Sequence, residues 1–317
     1  MRVGTRSSKL ALYQTDHVVA LLKKTHPQLE CEVVTITTSG DAQRSVPIAD
    51  IGTRGVFVKE LEDALLNSKV DFVVHSLKDM PVEVPEGLAL VATLSREDSR
   101  DVLVSRHNLP VEQLPQNAVI ATSSRRRIAQ FKKLHPSLKF IDIRGNITTR
   151  LRKMDEGECD AMILAAAGLH RLDLHERIVK YLSIEESTPA AGQGALAIEC
   201  RSDDTNTFAL LAQLDDFKTR VEISAERAFL GALGGGCSVP IGVSASFDSA
   251  LQILKITGSI ASIDGKSLHQ SSIAEKFDST ISGASNLGLK LAQTMQTKEV
   301  ALILEELKKE ESRISAP

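Results

Sequence analysis

Four short stretches of the chain combine residue types that could hold or activate a small molecule. His75-Ser76-Leu77-Lys78-Asp79-Met80-Pro81 sets a lysine and a carboxylate directly after an apolar run, and Pro81 bars a central strand from continuing past them. Thr122-Ser123-Ser124-Arg125-Arg126-Arg127 places hydroxyls and guanidiniums where a strand gives way to a helix. Ser124 suits the N-cap, and the open amides and dipole of the first turn make an anion site that the arginines reinforce. Arg144-Gly145-Asn146 with Arg150 lies just past another strand, and Gly145 lets the backbone approach a ligand closely. Thr5-Arg6-Ser7-Ser8 repeats the arrangement after the first strand. Guanidinium forks match carboxylates or phosphates in bidentate fashion, so the expected ligand is anionic at several points. Taken singly, each stretch reads equally as a solvated turn or a capped helix with a basic face. No G-x-x-x-x-G-K-[ST] is present, so a nucleotide P-loop is not indicated.

Cys237 stands in Gly234-Gly235-Gly236-Cys237-Ser238-Val239-Pro240, a loop too rich in glycine to be core. An accessible thiol beside a basic cleft could be a nucleophile or an attachment point, whereas most lone cysteines are buried and inert. Cys31, Cys159 and Cys200 lie in apolar strand contexts and read as inert. The four cysteines form no C-x-x-C pair, and neither they nor the eight histidines show metal-site spacing, so no metal is expected.

The elements that must carry these residues alternate through about the first 200 positions, which argues for α/β layers with largely parallel strands. Strands are predicted at Arg2 to Thr5, Glu32 to Thr37, Asp71 to Ser76, Ala118 to Thr122, Lys139 to Ile143 and Asp160 to Ala165. Leu10, Tyr13, His17 or Val18, and Leu21 predict one face of a first helix; Phe57, Leu61 and Leu65 do so for a second. Lys59 to Ser76 and Thr149 to Ala165 echo each other, each a helix, a short turn and a strand opening on Asp. Two similar lobes with a cleft at the carboxyl ends of their strands would fit. After about residue 215 the pattern changes: a helix from Lys218 to Leu233, the glycine-rich loop, alternating stretches at Val243 to Phe247 and Leu251 to Ile260, a helix from Ala284 to Gln296, and a charged tail.

With 317 residues, 42% hydrophobic and 25% charged, the chain has the composition of a soluble globular protein of two or three domains. Its net charge of -3 is uneven, because Thr122 to Arg152 carries nine basic residues against Asp142 alone, +8, leaving -11 elsewhere. A local basic patch on an acidic protein points to a bound anion more than to nucleic acid. Nine Phe, two Tyr and no Trp also disfavour base stacking. Lys9, Asp16 and His17 interrupt the first apolar stretch, and the longest apolar run, Ala161 to Leu169, is too short to span a bilayer, so neither secretion nor a membrane is expected. The expected location is cytoplasmic, with the cysteines reduced.

The stretches VGTRSSKLALYQTD, FVKELEDALL, DFVVHSLKDMPVE, EDSRDVLVS, ATSSRRR, IRGNITTRL, DAMILAAAGLHRL, PAAGQGALAIECR, AERAFL and GGGCSVPIG resemble, in order over residues 3 to 242, the hydroxymethylbilane synthase (porphobilinogen deaminase) family. HSLKDMP together with GGGCSVP is hard to place elsewhere, and the last 75 or so residues add little. The resemblance implies two periplasmic-binding-protein-like α/β lobes, residues 1–94 with 195–214 and residues 95–194, plus a smaller C-terminal α+β domain, 215–317, carrying the cofactor cysteine. It implies a transferase of tetrapyrrole and haem biosynthesis that joins four porphobilinogen molecules head to tail, releasing ammonia, to give hydroxymethylbilane. A covalent dipyrromethane primer on Cys237 is the implied cofactor, porphobilinogen the small-molecule partner, and a monomer the family expectation.

By the motif match the catalytic carboxylate is Asp79, with Lys78 contacting the cofactor. The cofactor's carboxylates fall to Thr122, Ser123, Ser124, Arg126, Arg127, Arg144 and Gly145, and the substrate's side chains to Arg6, Ser8, Arg144, Arg150 and Arg171. The chemistry explains the residue types. Each pyrrole carries an acetate and a propionate, so the growing chain needs several cations. Loss of ammonia leaves an electron-poor azafulvenium that one carboxylate, kept ionised by arginines, can stabilise while assisting proton transfer. Chain growth also implies domain motion and reordering of the loop near Ala49 to Val56. In that loop many members carry lysines where this chain has Asp50 and Arg54; Arg54 can keep an anion contact and Asp50 cannot. Lys9 replaces an uncharged residue and reads as a solvated helix start. Two other readings compete: a two-lobed anion-binding protein without catalysis, which the Cys237 loop argues against, and nucleic-acid binding through Arg125 to Lys133.

Overall fold

The computed structural model describes residues 1–42, 57–235 and 239–314, and its strands sort into three sheets. The first holds β1 (Arg2–Thr5), β2 (Glu32–Thr35), β3 (Phe72–Ser76), β4 (Leu88–Thr93) and β10 (Leu196–Arg201), in the order β2-β1-β3-β10-β4. The second holds β5 (Asp101–Ser105), β6 (Val119–Ala121), β7 (Lys139–Ile141), β8 (Ala161–Ala165) and β9 (Lys180–Tyr181), in the order β7-β6-β8-β5-β9. Position by position the two orders match: three parallel neighbours, then a strand antiparallel to both its partners. The expected largely parallel sheets are therefore mixed. Strands β5 and β10 enter their sheets directly from the other lobe, without the crossover helix that makes successive strands parallel.

The echo seen in the sequence is a structural repeat. Helix α3 (Lys59–Leu66), which follows the short α2 (Ser39–Ala42), leads to β3, and α5 (Ile147–Asp155) leads to β8, beyond which come α6 (Ala166–His170) and α7 (Thr205–Leu211). The aspartate before each strand clasps the neighbouring parallel strand in the same way. Asp71 Oδ2 accepts from Arg2 N at 2.7 Å, and Asp160 Oδ2 accepts from Val119 N at 2.8 Å.

Helix α1 (Lys9–Thr25) is capped by Ser8, whose side chain accepts from Ala11 N, and Lys9 is exposed at its start. It buries Gln14, Thr15, Val18 and Leu22 rather than the face centred on Tyr13, which is 45% exposed. Val18 and Leu22 meet Phe72 and Val74 of β3, and this sheet contact outweighs the alternative apolar stripe. Leu61, Ala64 and Leu65 of α3 pack on Val73 from the opposite face.

Two segments, 94–100 and 182–195, cross between the lobes. They touch where Gly194, at φ +90°, lies against Glu97; a Cβ there would come 2.3 Å from the Glu97 carbonyl oxygen. Only glycine meets both demands.

The third sheet, β11 (Ile241–Asp248), β12 (Ile253–Ala261) and β13 (Leu268–Lys276), is antiparallel. Helices α8 (Phe217–Ala232) and α9 (Ile281–Met295) cover it, closing a core that includes Val221, Phe229, Val243, Leu254, Ile256 and Leu291. β13 escapes sequence reading because HQSSIAEK alternates polar with half-buried residues. The charged tail is helix α10 (Lys298–Ile314), whose Val300, Ile303 and Leu307 are buried.

Candidate active site

The chemistry-bearing stretches gather at one end of each sheet. The carboxyl ends of β1 and β3, Thr5 and Ser76, lie beside the start of β10, with Ser76 paired to Leu196. The carboxyl ends of β6 and β8 lie beside the start of β5, where Asp101 pairs with Ala165. This is the edge at which open α/β sheets bind ligands.

After β3 the chain makes a single 3-10 turn, Leu77–Asp79, and Met80 is extended ahead of Pro81. That conformation is the one a residue before proline prefers. Leu77 N donates to Ala195 O at 3.1 Å, and Gln14 Nε2 donates to Ser76 Oγ at 2.9 Å, so the turn is held from β10 and from α1. Lys78 and Asp79 are half-buried on it. Lys78 Nζ donates to Gln193 Oε1 at 3.4 Å, and Arg127 Nη2 reaches the same oxygen at 3.4 Å.

In the second lobe, Ser124 caps helix α4 (Arg125–Leu134) by accepting from Arg127 N, as expected. Arg126 and Arg127 do not lie on a solvated face. They turn inward onto Asp101: Arg126 Nη1 donates to Oδ2 at 2.7 Å, and Arg127 donates from Nε at 3.0 Å and Nη2 at 2.7 Å to Oδ1. Ser187 Oγ, at 2.7 Å, and Gln193 Nε2, at 2.9 Å, complete the shell of this fully buried carboxylate. Burial works to raise the Asp101 pKa, but the two guanidiniums and their hydrogen bonds hold it far below the usual carboxylate range. One carboxylate against two guanidiniums leaves a net positive charge.

That charge is felt by its neighbours. Burial first, and then Arg127, push the Lys78 ammonium down to about 8, against the opposing pull of Asp79 and Asp101. Burial, with Arg127 and Arg144, likewise pushes Arg150 down to about 10. Lys78, Arg126, Arg127, Arg144 and Arg150 thus share one electrostatic field, assembled from both lobes. A multiply charged anion would relieve their mutual repulsion, so the donor set fits a group bearing several carboxylates.

The remaining predicted residues sit as follows. Thr122 is buried, Ser123 Oγ donates to Ile143 O at 2.7 Å, and Gly145 takes φ +113° and accepts Arg150 Nε at 2.7 Å. Arg6 forks onto Asp41, at 2.8 and 2.6 Å, and stacks over Phe57; Ser8 is engaged in capping α1. Arg171 donates to Gly194 O at 2.7 Å and lies toward Glu97 and Tyr13 rather than in the Arg127 field. Burial pushes the thiols of Cys159 and Cys200 up to about 11, in keeping with the inert reading. Cys237 and the segment from Ala49 to Val56, with Asp50 and Arg54, lie outside the described residues. Among the described residues, no cluster of His, Cys, Asp or Glu could hold a metal ion, and no helix is long and apolar enough to cross a membrane.

Sequence reasoning missed Asp101 and Gln193, the two residues that organise the cations. It also missed Arg96, whose guanidinium donates to both oxygens of the buried Glu226 at 2.7 and 3.0 Å and to Gln193 O at 2.9 Å. Glu226 in turn accepts from Gly192 N and Ala245 N, each at 2.7 Å, which joins a lobe crossing to the third sheet. A lone acid at a strand start and a glutamine between two glycines carry no signal of such roles. Only their burial does.

Comparison with known proteins finds matches over most of the chain. A family model described as porphobilinogen deaminase, dipyromethane cofactor binding domain, matches residues 1–209, and one described as porphobilinogen deaminase, C-terminal domain, matches residues 220–297. A porphobilinogen deaminase of Syntrophotalea carbinolica is 46% identical over 96% of this chain and 95% of its own. One of Brevibacillus brevis is 45% identical over 98% of each chain. Among solved structures, an ancestral cationic amino acid solute binding protein aligns with 68% of this chain and 87% of its own, at 16% identity and a TM-score of 0.42.

Proposed function

This chain belongs to the porphobilinogen deaminase family, and from that premise we propose that it joins four porphobilinogen molecules head to tail, with loss of ammonia, to give hydroxymethylbilane. The observation that carries the reading is the joining of the Lys78–Asp79 turn to the Asp101–Arg126–Arg127 knot through Gln193, which sets one half-buried carboxylate beside an excess of cations. When bound, dipyrromethane supplies the nucleophilic pyrrole on which chain growth begins, and Cys237 is its proposed attachment. Lys78, Thr122, Ser123, Ser124, Arg126, Arg127, Arg144 and Gly145 would hold its carboxylates.

The division of labour follows from charge. Arg144 and Arg150, with Arg6, Ser8 and Arg171 nearer the first lobe, bind the acetate and propionate groups of incoming porphobilinogen and fix its orientation. Arg6 exchanges its Asp41 partner for a substrate carboxylate. Asp79 stabilises the azafulvenium cation that forms on the substrate when ammonia leaves, through its charge and by accepting from pyrrole N–H. The same carboxylate assists proton transfer to the departing amine and takes the proton from the newly substituted carbon. Lys78, with its pKa near 8, stays mainly protonated at neutral pH and donates from Nζ to an acidic side chain.

An intact mass with peptide mapping tests the attachment: an excess of two substituted pyrroles on Cys237 is expected, lost in Cys237→Ser. Asp79→Asn removes the charge and keeps the shape, and turnover is expected to fall by about 10²–10³-fold or more with the fold intact. Turnover like that of the unaltered protein in Asp79→Asn overturns the mechanism.

A further inference from the structure

Helix α8 belongs to the third unit, yet one of its stripes lies on the turn that carries Asp79. Ile223, Arg227 and Gly231 follow one another at a spacing of four, the interval that aligns side chains along one helix face. Ile223 packs in a common cluster with Leu77 and Met80, the residues on either side of Lys78 and Asp79. One turn further on, Arg227 Nη2 donates to two successive carbonyls just past the turn, Pro81 O at 2.9 Å and Val82 O. A turn beyond that, Gly231 leaves room for Val82, whose Cγ1 would lie 3.3 Å from a Cβ at that position.

The carbonyls of Pro81 and Val82 belong to a segment without regular structure, and the guanidinium supplies the donors that a strand would otherwise provide. Arg227 is itself half-buried. Burial lowers its pKa, and the negative charge of Glu199, on β10 and paired with Val73 of β3, opposes the shift. Helix α8 cannot drift without consequence either, because Glu226, the preceding residue, is locked to Arg96, Gly192 and Ala245.

We propose that Arg227 is a positioning residue through which helix α8 fixes the location of the Asp79 carboxylate, so that catalysis depends on how the third unit seats against the first lobe. This rests on the functional reading of Asp79 given above. The backbone from Ser76 to Val82 is then pinned at both ends: at its start by the Ala195 carbonyl and Gln14, at its finish by Arg227. A carboxylate that must meet a transient cation loses most of its effect when displaced by about 1 Å.

The test compares Arg227→Gln and Arg227→Lys with the unaltered holo-protein. Turnover is expressed per molecule carrying dipyrromethane, measured by an aldehyde colour reaction, alongside KM, thermal unfolding and amide hydrogen exchange over residues 76–84. In Arg227→Gln, kcat per holo-molecule should fall about 10- to 100-fold with KM within about twofold, and exchange of the turn should quicken. Arg227→Lys, which can satisfy one carbonyl, should recover part of the loss. If the glutamine variant does not fold, the lysine variant decides alone. A kcat per holo-molecule within about twofold of the unaltered protein in the variants that fold, or unchanged exchange at 76–84, overturns the proposal. Failure of the unaltered protein to consume porphobilinogen would count against the functional reading, and the exchange measurement would still decide whether Arg227 holds the turn.

Discussion

In the second lobe one buried carboxylate, Asp101, meets two guanidiniums, a serine and a glutamine; in the first lobe two buried carboxylates, Glu62 and Glu199, have one imidazole, His75, in contact with Glu199 and within electrostatic reach of Glu62. His75 Nε2 lies 3.2 Å from Glu199 Oε2, both groups are buried, and Oε1 of Glu62 and of Glu199 has no hydrogen-bond partner among the described residues. Burial acts in the same direction on both acids. It is overcome at Asp101 by Arg126 and Arg127, whereas at Glu62 it is reinforced by Glu199 and only weakly opposed by His75, so the Glu62 carboxyl rises to about 7. The sign of the neighbours, not the depth of burial, decides whether a buried acid is ionised. The Glu62 and Glu199 group strains the fold above neutral pH, and the Asp101 knot depends on its charge to stay assembled.

Three substitutions would break or sharpen this contrast. The largest effect is expected for Asp101→Ala, which leaves two guanidiniums buried without a counter-charge and should cost about 3–5 kcal/mol. Urea unfolding measures it, and a loss below about 1 kcal/mol would mean that the arginines find other partners and that the knot does not depend on Asp101. Gln193→Leu comes next. It removes the donor to Asp101 and Ser99 O and the acceptor shared by Lys78 and Arg127, for about 1–3 kcal/mol. Turnover should fall more than stability alone explains, because the two lobes lose their link beside Asp79; equal unfolding midpoints in variant and unaltered protein would remove Gln193 from the knot.

Glu62→Gln should have the smallest effect, and in the opposite direction. A carboxyl whose folded pKa is raised from 4.5 to about 7 favours the folded state below pH 4.5, and this advantage is lost as pH rises to 7. The amide has no proton to lose, so the variant should be more stable than the unaltered protein by about 1–2 kcal/mol at pH 8, allowing for partial solvent screening, and indistinguishable from it at pH 4. Thermal unfolding at the two pH values measures the difference. A pH-independent difference would show that Glu62 does not hold its proton to neutrality.

Much of this architecture is legible in the sequence because it rests on local rules. β1 runs from Arg2 to Thr5, as the sequence predicts, and Ser124 caps its helix as expected, because a hydroxyl at the step from strand to helix accepts from an open first-turn amide. The Asp71 and Asp160 repeat shows in the sequence as an echo and is the same clasp in each lobe. Strands β5 and β10 carry no such local signal. The first opens on an acid and the second contains Glu199, and both residues are buried only because partners arrive from elsewhere in the chain. The exposed Tyr13 shows the same limit: two apolar stripes compete on α1, and the sheet beneath chooses between them.

At the site, the residues whose chemistry is intrinsic were recognisable by type and place: Lys78 and Asp79 before a proline, Arg126 and Arg127 after a cap, Arg144 and Arg150 around a glycine. Their charges, their order in the chain and their position at strand ends are properties of the sequence itself, as are the two-lobed α/β pattern and the change of character after residue 215. Which cations are tied to protein carboxylates depends on folding. Asp101 lies 25 and 26 residues from Arg126 and Arg127, Gln193 lies 115 from Lys78, and Arg227 lies 146 from Pro81. In water the interaction between charged groups is weak and is screened beyond about 8–10 Å, so groups this far apart in sequence influence one another strongly only after the sheets have closed and excluded water between them.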